Sequence, residues 1–134
     1  MTHFDYNEAF SRNIGWVTES EQQVLRGKRI AIAGLGGVGG GHLLTLARLG
    51  IGSFSIADHD RFDVVNFNRQ AGAFVDTLDR PKVEVMASMA RGINPELDIR
   101  ASARASRPPT WTHSWMASTS TSMVSISSHS TSAR

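Results

Sequence analysis

Arg29-Ile30-Ala31-Ile32-Ala33-Gly34-Leu35-Gly36-Gly37-Val38-Gly39-Gly40-Gly41 decides how the rest of the chain is read. Its first five residues are an apolar, β-branched run, which predicts a short buried strand entering a tight loop. The loop carries Gly34-x-Gly36-x-x-Gly39. After a strand and before a helix, that spacing lets the backbone turn sharply and approach a phosphate. The free N–H groups and partial positive charge of the helix start then favour an anion. Glycines serving only close helix–strand packing are the bland alternative. Leu43, Leu44, Leu46, Ala47 and Leu49 keep helical spacing until Gly50 and Gly52, which suit a helix C-terminus. Ser53-Phe54-Ser55-Ile56-Ala57 alternates like a second strand and delivers Asp58 at its end. Strand, glycine loop, helix and strand within about 30 residues have the size of a βαβ crossover. The predicted fold class is α/β, a Rossmann-like parallel sheet with flanking helices.

Upstream, residues 7–26 place Phe10, Ile14, Trp16, Val24 and Leu25 at spacings that predict one or two short amphipathic helices broken near Gly15. Residues 1–26 thus read as an N-terminal helical extension. Downstream, a helix is predicted from about Pro81 to Arg91, with Val83, Met86, Ala87 and Ala90 on one face and Asn94-Pro95 as its stop. Leu97 to Ala101 begins a third strand. The nucleotide-binding domain is accordingly drawn over residues 27–101 and is incomplete as a sheet.

Residues 101–134 differ in character: 16 of the 34 are Ser or Thr, and acids vanish. Such a stretch buries too little apolar surface to offset its ordering entropy, so residues 102–134 are predicted to be a disordered low-complexity tail. A shifted reading frame offers a sharper account. Taking the third base of one codon with the first two of the next turns Ser codons TCN into Phe, Leu, Ile or Val, and Trp115-Met116 into a forced Asp. The expectation is a frameshift close to Ser102 that truncates a longer domain.

With 134 residues the chain allows one compact domain. Residues 1–100 hold all twelve acids and eleven of the fourteen bases. The pI near 9.7 therefore comes from the tail and is no evidence for a nucleic-acid partner. The absence of Cys excludes a disulfide scaffold, Cys-ligated zinc and a cysteine nucleophile in this chain. No apolar run approaches the length of a membrane span and the start lacks a secretory signature, so the expected compartment is the cytoplasm.

Asp58 lies nineteen residues beyond Gly39, where a carboxylate can accept hydrogen bonds from ribose hydroxyls. To this point NAD and ATP fit equally. The continuation Asp58-His59-Asp60-Arg61-Phe62-Asp63-Val64-Val65-Asn66-Phe67-Asn68-Arg69-Gln70, followed by Lys82 near a helix start, separates them. Arg as a planar fork, Lys as a point charge and Asn as a neutral donor can together hold a triphosphate. A dehydrogenase needs little beyond the ribose acid.

At these residues the chain resembles the ThiF/MoeB/HesA family, bacterial relatives of ubiquitin-activating enzymes. The resemblance covers roughly residues 9–100: the Gly-x-Gly-Gly-x-Gly loop, the Asp58-x-Asp60 pair, Asn66-x-x-Arg69-Gln70, Pro81-Lys82-Val83-Glu84 and Ile93-Asn94-Pro95. It implies ATP-dependent adenylation of the C-terminal carboxylate of a ubiquitin-like or sulfur-carrier protein, with ATP and Mg2+ as cofactors and a homodimer as the working unit. Gly34, Gly36, Gly37, Gly39, Asp58, Asp60, Asn66, Arg69 and Lys82 would form the nucleotide site, and Arg12, Arg69 and Lys82 the catalytic set. Arg12, within Phe10-Ser11-Arg12-Asn13, would reach a partner's ATP as an arginine finger does. A solvated helix arginine is the alternative for Arg12, and loop capping is the alternative for Asp60 and Asp63.

The chain departs from the family in carrying no acid after Asp98, so the later Asp that positions magnesium is missing and no metal ligand is assigned. Impaired turnover is therefore expected, with a non-catalytic nucleotide-binding remnant as the second reading and an NAD(P)-binding oxidoreductase as the third. The five histidines lack metal spacing; His59, between the two acids, is the one worth following. Met86 and Met89 are expected in the core, and Trp111 and Trp115 fall in the tail.

Overall fold

The computed structural model describes residues 3–104. Three strands, β1 (Arg29–Ala33), β2 (Ser53–Ala57) and β3 (Asp98–Ser102), form one parallel sheet in the order β1-β2-β3. Arg29 lies opposite Ser53, and Ser53 opposite Asp98. The helices are α1 (Tyr6–Ala9), α2 (Glu19–Arg26), α3 (Gly37–Leu49) and α4 (Lys82–Ile93), with 3₁₀ turns at Ser11–Asn13, Val64–Asn66 and Val75–Thr77. The expected α/β class with flanking helices is observed. The predicted tail lies outside the described residues beyond Arg104.

Helices α3 and α4 pack together over the sheet, burying Leu43, Ala47, Met86, Ala87 and Ala90 with Ile32, Phe54 and Ile56. Each large side chain fully withdrawn from water contributes about 1.5–3 kcal/mol. Central β2 is the most buried strand, whereas β3 carries Asp98 and Arg100 on its exposed flank. Asp98 pairs with Arg29 across the sheet. Burial also lowers the Arg29 guanidinium from its ordinary value, helped by the like charge of Arg100.

One boundary differs from the expectation. Helix α3 starts at Gly37, inside the glycine cluster, rather than after it. Close packing explains this: a Cβ on Gly40 would sit 3.2 Å from the Leu35 carbonyl oxygen and 3.3 Å from Met86 Cε, so a bare helix face is needed there. Gly50 ends α3 in the left-handed region, at φ 95°.

The N-terminal extension folds as two short helices around a turn at Gly15. It clasps the far end of α3. Tyr6 donates to the Gly50 carbonyl at 2.5 Å, while Gln22 and Asn13 donate to the Leu49 carbonyl at 3.0 and 3.1 Å. These side chains satisfy the carbonyls that a helix end leaves unpaired. Phe10 is buried as expected, but Trp16 is 93% exposed and Val24 56% exposed, so neither serves this core.

Candidate nucleotide site

The turn between β1 and α3 is pinned to the end of β2. Gly34 N–H donates to the Ala57 carbonyl at 2.8 Å, and Leu35 N–H donates to Asp58 Oδ2 at 2.6 Å. The other Asp58 oxygen accepts the Asp60 N–H at 2.8 Å. A carboxylate has about four lone-pair sites, so Asp58 keeps acceptor capacity for a ribose. Gly36 is the N-cap of α3 and brings no side chain. The first helical hydrogen bond is Gly40 N–H to Gly36 O, so the amides of Gly37, Val38 and Gly39 lie ahead of it. Those N–H groups and the helix dipole make an anion cradle.

The segment after Asp58 folds back over this cradle. Asn66 orders it: its side-chain oxygen accepts Asp63 N–H at 2.9 Å, and its carbonyl accepts the amides of Arg69 and Gln70 at 3.2 and 2.9 Å. Its Nδ2 has no acceptor among the described residues. Arg69 is laid against Gly37, where a Cβ would meet its carbonyl oxygen at 3.3 Å and its Cγ at 3.4 Å. The guanidinium rests on the Val65 carbonyl and Asn68 Oδ1, each at 2.9 Å, and is exposed. Lys82 opens α4 with its main-chain N–H on the Asp60 carbonyl at 3.0 Å and its ammonium 3.7 Å from Asp60 Oδ2.

Asp58 and Arg69 contact the Gly34–Gly39 turn directly, Asn66 is joined to it through the Arg69 amide, and Lys82 through Asp60; Arg12 has no such link. It sits exposed on the Ser11–Asn13 turn, and its neighbour Asn13 holds the opposite end of α3, about 20 Å away by helix rise. A residue without an assigned role also belongs to the site. Gln70 is 8% exposed, its Nε2 lies 3.7 Å from where a Gly36 Cβ would be, and its Oε1 is buried without a partner. The Asn-x-x-Arg-Gln pattern contains it, but spacing alone does not separate a packing amide from a ligand contact.

Asp58, His59 and Asp60 bring ligand atoms within 4.8 Å of one another. They do not suit magnesium, which demands near-octahedral oxygen donors. His59 offers a nitrogen, and the Asp60 oxygens face His59 at 3.1 Å and the Lys82 ammonium. No helix among the described residues is long and apolar enough to cross a membrane.

The sequence model of the ThiF family matches residues 10–124. The chain is similar to tRNA threonylcarbamoyladenosine dehydratase of Bacillus subtilis (strain 168), 37% identical over 92 residues, which are 69% of this chain and 36% of the relative. It is similar to sulfur carrier protein ThiS adenylyltransferase of Escherichia coli (strain K12), 35% identical over 80 residues, 60% of this chain and 32% of the relative. The solved structure of E. coli tRNA N6-threonylcarbamoyladenosine dehydratase in complex with ATP matches with a TM-score of 0.73 at 33% identity, covering 78% of this chain and 43% of that one. The chain spans about a third of the length of these curated relatives.

Proposed function

Because the chain belongs to the ThiF family, we propose that it binds ATP over the Gly34–Gly39 turn and transfers AMP to a carboxylate, releasing pyrophosphate. The observation that carries this reading is the Asp58 carboxylate bonded to the loop amide of Leu35, with Arg69 packed on the start of α3 and Lys82 tied to the same segment through Asp60. A solved relative in complex with ATP supports the choice of nucleotide.

Asp58 would accept the ribose hydroxyls. The amides at the start of α3, Asn66 Nδ2, Arg69 and Lys82 would hold the phosphates. A carboxylate oxygen then attacks the α-phosphorus, the bond to the bridging oxygen breaks, and pyrophosphate leaves. Cations and oriented amides fixed beforehand stabilise the charge that shifts onto the leaving group.

Two carboxylate classes are supported by the relatives. One is the C-terminus of a ubiquitin-like or sulfur-carrier protein, after the adenylyltransferase acting on ThiS. The other is the threonyl carboxylate of a modified adenosine in tRNA, after the dehydratases. Arg12 would act on a second copy's nucleotide, which fits its distance from its own cradle. Residues 102–134 are proposed as a frameshifted segment, of which the family model still matches 102–124.

Exchange of labelled pyrophosphate into ATP tests the reading. Exchange that depends on a carrier protein or on the modified tRNA supports adenylation and names the acceptor class. ATP binding without exchange under either condition supports the nucleotide-binding remnant, and tight NADH binding without ATP competition supports the oxidoreductase.

A further inference from the structure

Lys82 is 5% exposed, yet its ammonium makes no hydrogen bond to any described residue. Asp60 Oδ2 is an ion-pair partner at 3.7 Å, too far for a hydrogen bond, and the Phe62 ring lies 5.8 Å from Nζ. The stem is buried, but Nζ is not fully enclosed, so the ammonium keeps a narrow opening to solvent. Here its three donors stay uncommitted.

Asp60 is fixed through its main chain, while its side chain is 54% exposed. Its N–H donates to Asp58 Oδ1 at 2.8 Å, and its carbonyl accepts the Lys82 N–H at 3.0 Å. Oδ1 stands 3.1 Å from His59 Nε2, which leaves Oδ2 facing Lys82. We propose that Asp60 is a positioning residue: fixed through its main chain between Asp58 and Lys82, with His59 Nε2 beside one oxygen, it aims the Lys82 ammonium, with its donors free, at the phosphates of a nucleoside triphosphate. This rests on the nucleotide site proposed above. Elsewhere in phosphoryl transfer a lysine that grips phosphates likewise needs its acid partner in place.

The sign of one substitution separates positioning from simple charge. Deleting an acid beside an anion site strengthens anion binding on Coulombic grounds alone. Positioning predicts the reverse. Calorimetric titration of the full chain with ATP and with AMP is the test, on wild type, Asp60→Asn and Asp60→Glu. Asp60→Asn is expected to weaken ATP about tenfold while leaving AMP within about twofold, because AMP lacks the outer phosphates, and Asp60→Glu is expected to restore most of the loss. Unchanged or tighter ATP binding in Asp60→Asn overturns the proposal, as does an equal loss for AMP. If Asp60→Asn does not melt cooperatively, His59→Ala carries the same comparison, with a smaller selective loss for ATP expected and none overturning it. A wild-type chain that binds neither nucleotide overturns the proposed function and this inference with it, an outcome distinct from a failure of Asp60 alone.

Discussion

Gly39 stands so close to Gly34 that a Cβ on it would lie 1.8 Å from the Gly34 carbonyl oxygen. The turn after β1 and the first turn of α3 are in backbone contact, which only a residue without a side chain allows. Gly41, two residues further along the same helix, has nothing within 4 Å of its Cβ position. Gly39→Ala is expected to cost more than about 3 kcal/mol, since backbone rather than a flexible side chain must move. Gly41→Ala is expected to stabilise by about 0.5–1 kcal/mol through helix propensity. Urea unfolding of both variants checks the contrast, and equal effects would mean that the turn does not pack as described.

Asp58 joins the loop to the strand end through its carboxylate. Its two oxygens accept Leu35 N–H and Asp60 N–H. In Asp58→Asn one amide end is a donor, so one of those N–H groups loses its acceptor. The expected cost is about 1–3 kcal/mol, read as a lower melting temperature even without nucleotide. A variant as stable as wild type would leave Asp58 with a ligand role alone.

Arg69 differs because its guanidinium is exposed and holds only nearby loop acceptors. Arg69→Ala is expected to lower ATP affinity at least about tenfold while barely moving the melting temperature, as for a charge-assisted phosphate contact worth about 1.5–3 kcal/mol. Unchanged affinity in a calorimetric titration would remove Arg69 from the site.

Much of this was legible in the residues themselves. The β-branched run into glycines, the leucine spacing and the alternation before Asp58 mark β1, α3 and β2 because local pattern and burial agree there. The candidate site residues stood out as well, since a carboxylate, an amide and two cations in one short stretch have few structural uses together. The start of α3 was not, because glycines disfavour helix locally and only the approach of Leu35 and Met86 to Gly40 makes a glycine helix face the better solution. Nor was the clasp of Tyr6, Asn13 and Gln22 on the end of α3, which joins residues up to 44 positions apart. The burial of Gln70 likewise depends on how the segment folds back.

Glu21 sets a pH dependence in the N-terminal extension. Its carboxylate accepts the Thr18 main-chain N–H at 2.8 Å, and that hydrogen bond, with the Thr18 hydroxyl, holds its carboxyl below the usual Glu value. A lowered folded-state pKa gives stability that is fully present above the ordinary Glu pKa and is lost as pH falls through the lowered one. Helix α2 should therefore fray on acidification in wild type, and Glu21→Gln should lose most of that dependence. Circular dichroism melts from neutral to acidic pH check this, and parallel pH curves would remove Glu21 as the cause.

The central claim is that the Gly34–Gly39 turn, with Asp58, Asn66, Arg69 and Lys82 around it, is a seat for ATP. The most direct measurement is a titration of the full chain with ATP, repeated in the presence of AMP and then of NADH. The account predicts saturable ATP binding that AMP displaces and NADH does not. Displacement by NADH, or no ATP binding by a chain that still melts cooperatively, would contradict it.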